Sequence, residues 1–175
     1  AFDISNISGT YAVASMVCSE AGIARRNRYR RFRIKTVEGS DDPAMMAEVI
    51  RRRYGRLISE QRKLPDMVLV DGGIAQLHAA RRELDRLDIT DLPVAGLAKR
   101  NEEIYLERDN TPVLLPANSP ALKVLQRLRD EAHRFALAYH HNLRSRRIRE
   151  SALDGIPGIG ASKKKALLEK FGSVR

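Results

Sequence analysis

An α/β domain, a mixed sheet flanked by helices with a small helical tail behind it, is the fold this sequence predicts. Three observations carry that prediction. Met67-Val68-Leu69-Val70-Asp71-Gly72-Gly73 opens with four apolar residues fit for a strand buried on both faces. Three earlier strand-like segments are separated by loops short enough for an antiparallel meander. Helical spacing then recurs on either side of further strand signals.

In chain order, Phe2-Ser5, Thr10-Cys18 and Tyr29-Val37 read as the three meander strands, parted by Gly9 and by Gly22 to Asn27. Asp41-Asp42-Pro43 reads as a helix start, with acids near the positive end of the dipole and Pro in the first turn. That helix is expected to run to about Tyr54. Pro65 precedes the Val68-Asp71 strand, and Ala75 to Leu87 is helical through Leu77, Ala80, Leu84 and Leu87. Val94-Leu97 is another strand, and Ile104-Leu106 with Val113-Leu115 form a hairpin around Asp109-Asn110. Ser119-Pro120 caps a long helix whose Leu122, Leu125, Leu128, Ala132, Phe135 and Tyr139 share one face. Three strands, helix, strand, helix, strand and a late helix is the ribonuclease H-like order. The polar, basic stretch from Asn142 to Glu150 separates the main domain, 1–148, from a tail, 149–175.

Composition narrows the partners. The 175 residues hold 32 Lys+Arg against 22 Asp+Glu, a net charge of +10 and a pI near 10.2. This length supports one full core plus an appendage, and a balance this basic points to a polyanion, most often nucleic acid. No apolar run approaches the roughly 18 residues needed to cross a bilayer, and no signal peptide pattern is read, so no membrane partner is expected. The single Cys18 excludes an internal disulfide and suits a reducing cytoplasm; in its apolar run it reads as packing. Few aromatics (5%, no Trp) argue against a stacking platform for single strands. The chain opens inside a strand and stops just after a helix, which reads as a fragment.

Asp71 ends the buried strand, and Asp3 stands in the short strand segment Phe2-Asp3-Ile4-Ser5. Burying an ionised carboxylate is costly unless a cation or donor meets it. In the predicted topology the first and fourth strands are central neighbours, so both acids face one cleft. Paired carboxylates suit Mg²⁺ or Mn²⁺, hard cations that take oxygen ligands and keep positions open for phosphate and water. Such a cation can activate phosphodiester hydrolysis. Taken alone, an Asp before Gly-Gly more commonly just forms a turn. On the late helix, Arg129-Asp130-Glu131-Ala132-His133-Arg134-Phe135-Ala136 sets His133 beside the apolar face, aligned with Arg129 and His140 at about 100° per residue. A margin histidine is usually packed or solvated, yet here a neutral imidazole is placed to bind metal or move protons. Asp130 and Glu131 point away from that stripe, and His78, His140 and His141 have no partners at ligand spacing.

In the tail, Leu153-Asp154-Gly155-Ile156-Pro157-Gly158-Ile159-Gly160 precedes Ala161-Ser162-Lys163-Lys164-Lys165. This is a helix-hairpin-helix pattern, in which Gly158 and Gly160 let backbone amides approach a phosphate. Lys163, Lys164 and Lys165 add sequence-independent electrostatic affinity. An ordinary helical hairpin with a solvated charge run is the plainer alternative, weakened because the glycines and lysines occur together. One such motif alone binds weakly.

With Phe2-Asp3-Ile4-Ser5, Tyr29-Arg30-Arg31-Phe32, Val70-Asp71-Gly72-Gly73, Gly96-Leu97-Ala98-Lys99 and Arg129 to Ala136 in one order, the chain resembles the C-terminal half of the UvrC family of excinuclease components. Ile156-Pro157-Gly158-Ile159-Gly160 resembles the start of that family's tandem helix-hairpin-helix. The resemblance implies a ribonuclease H-like endonuclease domain that cuts damaged double-stranded DNA on the 5′ side of a lesion. It implies that Asp3, Asp71 and His133 are the metal-binding catalytic triad, and that Asp42, in Ser40-Asp41-Asp42-Pro43, is a further acidic position linked to incision. It also implies the helicase-like excinuclease component UvrB as a partner of the full-length protein, a bacterial cytoplasmic location and no nucleotide cofactor. The segment that recruits UvrB, the other nuclease half and the second hairpin are expected to lie outside this chain. Two departures stand out: Asn6 where the family usually has His, and Gly72-Gly73-Ile74-Ala75-Gln76-Leu77 where a lysine usually follows the glycines.

The sequence therefore predicts a Mg²⁺- or Mn²⁺-dependent endonuclease domain of nucleotide excision repair. Asp3, Asp71 and His133 would form its site, Arg30, Arg31, Arg129 and Arg134 its strand contacts, and the lysine-bearing hairpin its grip on duplex phosphates. The competing readings are a DNA-binding or scaffold module without catalysis, and a ribonuclease H-like nuclease for hybrids or junctions.

Overall fold

The structure, a computed structural model, describes residues 1–5, 12–107 and 109–154, and residues 160, 162, 163, 166, 167 and 170, with side chains at 140–154 outside that description. It divides into two compact units, Ala1–Leu137 and Ala138–Arg175.

The first unit is built on a seven-stranded mixed sheet. Its strands are β1 (Phe2–Ser5), β2 (Val13–Met16), β5 (Arg30–Arg33), β6 (Val68–Asp71), β7 (Val94–Ala98), β8 (Glu103–Leu106) and β9 (Asp109–Val113), in the spatial order β5-β2-β1-β6-β7-β8-β9. β1, β2 and β5 form the antiparallel meander, with Asp3 opposite Ser15 and Ser15 opposite Arg31. β6 enters in parallel beside β1, and β7 in parallel beside β6. β8 and β9 close the other edge as antiparallel strands. The helices are α1 (Asp42–Ser59), α2 (Ile74–Asp85) and α3 (Pro120–Asp154). This is the ribonuclease H-like mixed sheet with flanking helices that the element order predicts.

Alternation along the strands assigns the two faces. Phe2, Ala14, Met16, Val68 and Val70 pack with Met46, Val49 and Ile50 of α1 and Leu77, Ala80 and Leu84 of α2. On the opposite face Leu69, Ala95, Leu97 and Ile104 pack with Leu122 of α3, flanked by Leu125 and Leu128. Each such side chain stabilises the fold by about 1.5–3 kcal/mol when fully buried. Asp3 and Asp71 each follow a residue of the α1/α2 face, so both fall on the side that α3 covers.

Boundaries differ from the sequence reading where side chains from elsewhere intervene. β5 ends at Arg33 rather than Val37 because buried Glu48 of α1 takes the next amides, accepting from Lys35 N–H at 3.1 Å and from Thr36 N–H at 2.9 Å. α1 continues past Tyr54 to Ser59, since Leu57 is still buried. Between β2 and β5 an extra hairpin forms, β3 (Ser19–Glu20) with β4 (Ile23–Ala24). Ala21 (φ 48) and Gly22 (φ 76) at its tip both hold the positive φ of a tight hairpin turn. At the far edge β9 is Asp109–Val113, not Val113–Leu115, and Leu106 pairs with Asp109. Asp109 and Asn110 belong to a strand rather than to the turn.

In the second unit α3 extends to Asp154, and residues 162–163, 166–167 and 170 are helical. Gly160 and Lys163 are exposed there. Asn6, Gly158, Lys164, Lys165 and the hairpin residues 155–159 lie outside the described residues, as do the side chains of His140 and His141.

Candidate active site

Asp3, Asp71 and His133 come together. One ligand atom from each lies within 4.8 Å of the others. Asp3 is supplied by the central strand β1, and Asp71 is the last residue of neighbouring β6. His133 descends from α3, its Nδ1 3.6 Å from Oδ2 of Asp3. The separation is too long for a hydrogen bond but suits two ligands on one ion.

Burial makes the pair electrostatically unusual. Asp3 is only 3% exposed, and its Oδ2 has no hydrogen-bond partner among the described residues. Desolvation, the Asp71 charge, a hydrogen bond donated by the Asp3 carboxyl to Asp71, and the Asp42 charge together push Asp3 up to about 8, against a downward pull from Lys99. Asp71 is also raised, chiefly by desolvation, while the Asp3 hydrogen bond, Arg129, His133 and Lys99 pull it down. Two carboxyls that hold a proton between them, one with an unanswered oxygen, are a site that a divalent cation would satisfy. The donor set, two carboxylates and an imidazole, fits such an ion.

Asp42 occupies the first turn of α1, next to Pro43, while Asp41 caps the helix by accepting from Ala44 N–H at 3.0 Å. Its charge reaches Asp3, although it is not among the three groups within ligand distance of one another. The Glu48 anchorage of Lys35 and Thr36 holds the chain that leads into this helix start.

Glycines bring the two central parallel strands to a common lip. Gly72 (φ 150) turns the chain away after Asp71, and its N–H donates to Leu97 O at 3.2 Å. A Cβ on Gly96 would stand 2.9 Å from Gly72 O, so only glycine allows β7 this close.

A family profile, the UvrC RNAse H endonuclease domain, matches residues 1–137. The chain belongs to this family. Its UvrC relatives include UvrABC system protein C of Dehalococcoides mccartyi, 53% identical over 99% of this chain and 29% of that protein. The protein of the same name from Methanococcoides burtonii is 55% identical, with 99% and 29% covered. That of Chlorobium chlorochromatii is 53% identical, with 99% and 27% covered. The chain thus spans less than a third of the length of the UvrC relatives it matches.

The arginines singled out in the UvrC-like sequence occupy different settings. Arg31 lies on the cluster's side of the sheet with its guanidinium 4.3 Å above the Phe135 ring, two residues after His133. Arg30 is exposed, and its Nη1 donates to Tyr29 O at 2.7 Å and Asn27 O at 2.9 Å. Arg134 makes two bonds of 2.7 Å to Glu131, which also accepts from Tyr29 Oη at 3.0 Å. Arg129 is buried and committed to carboxylates, bonding Glu102 Oε2 at 2.5 Å and Asp130 Oδ1 at 2.9 and 3.0 Å.

Two residues to which the sequence reading gave no role of their own complete the setting. Ser15, fully buried, donates to Ala132 O at 2.7 Å; a serine amid Val13-Ala14-Ser15-Met16 on a buried strand was the available signal. Lys99 acts on both carboxyl groups. Its signal was position, a lysine at the carboxyl end of the strand next to β6.

Proposed function

We propose that this chain is the metal-dependent endonuclease domain of a nucleotide excision repair protein, cutting damaged duplex DNA on the 5′ side of the lesion. The observation that carries the reading is the cluster of Asp3, Asp71 and His133 around the orphaned Asp3 Oδ2. The family and the relatives' name, UvrABC system protein C, support it.

In this reading Asp3 and Asp71 hold Mg²⁺ or Mn²⁺, with His133 as third ligand or as the group that takes up a proton at a ring nitrogen. The bound cation supplies Lewis-acid polarisation of the scissile phosphate and of the attacking water. The rigid central strands fix the carboxylates before substrate arrives, so little reorganisation is needed at the moment of cleavage. Asp42 holds a negative charge near Asp3 and strengthens the demand for a cation there. Arg30, Arg31 and Arg134 engage phosphates of the strand, and Arg129 acts from beneath by bracing α3 against Glu102. The tail from 149 to 175, with Gly158, Gly160 and Lys163 to Lys165, grips duplex phosphates as a partial helix-hairpin-helix. In the longer protein UvrB is the partner, and the location is cytoplasmic. No helix among the described residues is long and apolar enough to cross a membrane.

The test is nicking of a lesion-bearing duplex with Mn²⁺ by the wild type and by Asp71→Asn. Cutting 5′ of the lesion that is lost in the variant, with duplex binding kept, is the expected result. Activity surviving in Asp71→Asn would overturn the assignment, and faster cutting of hybrids or junctions would redirect the substrate.

A further inference from the structure

Charge bookkeeping at the site leaves one position open. Asp3 and Asp71 contribute two negative charges, Asp42 adds another nearby and a phosphodiester brings one more, whereas one divalent cation offsets only two. The remaining charge lies on non-bridging oxygens, which a fixed cation of the protein can stabilise.

Arg129 is near enough to act on Asp71, but its guanidinium is turned to Glu102 and Asp130 and is only 8% exposed. Its charge is answered from within the protein. Lys99 stands differently. β6 and β7 run in parallel with Asp71 opposite Leu97, so both strands end at the same lip. Lys99 is the first residue beyond β7, two positions after Leu97, whose side chain packs on the α3 face. It opens the turn that leaves the lip where Asp71 ends β6. Its charge is felt by Asp3 as well as by Asp71. Lys99 is exposed and forms no ion pair among the described residues. In an open parallel array, the carboxyl ends of the strands are also where ligands bind.

We propose that Lys99 is a substrate-binding residue of this site, contacting a non-bridging oxygen of the phosphodiester held over Asp3 and Asp71. The proposal rests on the endonuclease reading above. Lys99 transfers no proton; it orients the phosphate and offsets the charge that the carboxylate–cation set leaves over. Gly96 serves it indirectly, since the close approach of β7 to Gly72 sets where β7 ends.

The experiment compares wild type, Lys99→Met, Lys99→Arg and Asp71→Asn in the 175-residue chain, on a lesion-bearing duplex with Mn²⁺. The duplex carries either an ordinary phosphodiester or a neutral methylphosphonate at the cleaved linkage. Lys99→Met is expected to lower kcat/KM about a hundred-fold on the phosphodiester, with Lys99→Arg recovering part of it. On the methylphosphonate the difference from wild type should vanish. Duplex binding measured without metal should show a salt dependence shallower by about one ion for Lys99→Met. Equal losses on both linkages, or an unchanged salt slope, overturn the proposal. If Asp71→Asn is inactive while Lys99→Met cuts like wild type, only the Lys99 assignment fails; if Asp71→Asn still cuts, the reading of the site itself fails.

Discussion

The buried Ser15 hydroxyl donates to the Ala132 carbonyl at 2.7 Å, joining the cross-strand partner of Asp3 to the residue before His133. One hydrogen bond thus sets α3 in register over the sheet at the point where the histidine must meet the carboxylates. Ser15→Ala should cost about 1 kcal/mol of stability in urea unfolding. It should also weaken Mn²⁺ binding in a direct titration, because His133 loses its fixed approach. Stability lost with Mn²⁺ affinity unchanged would leave Ser15 a packing residue only.

The raised pKa of Asp3 gives metal-free stability a definite slope. An unfolded Asp releases its proton near 3.8, whereas the folded Asp3 keeps it to about 8. Between those values the native state binds the extra proton, so this group's contribution to stability falls as pH rises through the window. Thermal unfolding in EDTA should show the fall, and Asp3→Asn should flatten it. Saturating Mn²⁺ should reverse it, since the cation displaces the proton and binds better at higher pH.

Gly96→Ala should destabilise the domain by about 1–3 kcal/mol, the range for overpacking a filled interior. The added methyl would meet the Gly72 carbonyl, a backbone atom that moves only with the end of β6. Urea unfolding measures the loss, and cleavage should fall by more than stability alone accounts for, because Asp71 immediately precedes that carbonyl.

Glu48 behaves in the opposite sense to Asp3. Burial would raise its pKa, but hydrogen bonds from Thr36, Lys35 and Arg52 outweigh burial and hold it below its ordinary value. The stability it contributes is present above the unfolded value near 4.5 and is lost as pH falls through the lower folded one. Glu48→Gln should cost about 1.5–3 kcal/mol at neutral pH, the range for hydrogen bonds to a charged group. A flatter acid limb in the unfolding profile checks it.

Replacing Lys163, Lys164 and Lys165 together by Ala should weaken duplex binding uniformly across sequences and lower the salt slope by about two to three. Fluorescence anisotropy at several salt concentrations measures both effects, and an unaltered slope would remove the tail from the DNA interface.

Much of the centre was legible because its signals are local. The apolar run Val68–Val70, bounded by Pro65 and by Gly72-Gly73, reads as a strand covered on both sides, and its closing Asp71 follows directly. Alternation then sends Asp3 and Asp71 to the same face. The edges were less legible. β9 reads Asp-Asn-Thr-Pro-Val, largely exposed and without alternation, so it becomes a strand only because β8 offers it partners. Likewise α1 crosses Gly55, a poor helix former, because Leu57 beyond it finds a buried place. Arg129 shows the other limit. Its charge reads as a nucleic-acid contact, while its actual partner Glu102 comes from the turn between β7 and β8, a long-range pairing that no local pattern announces.

The pairing of β1 with β6 has a consequence for the life of the chain. Asp3 is made first of the three, but Asp71 arrives only after the whole meander and α1, and His133 later still. No local segment carries two of the three groups, so a nascent or half-unfolded chain lacks the candidate site. The three groups meet only when the sheet is complete and the last helix is seated. Assembly of the sheet, and not any one segment, is what creates the candidate site.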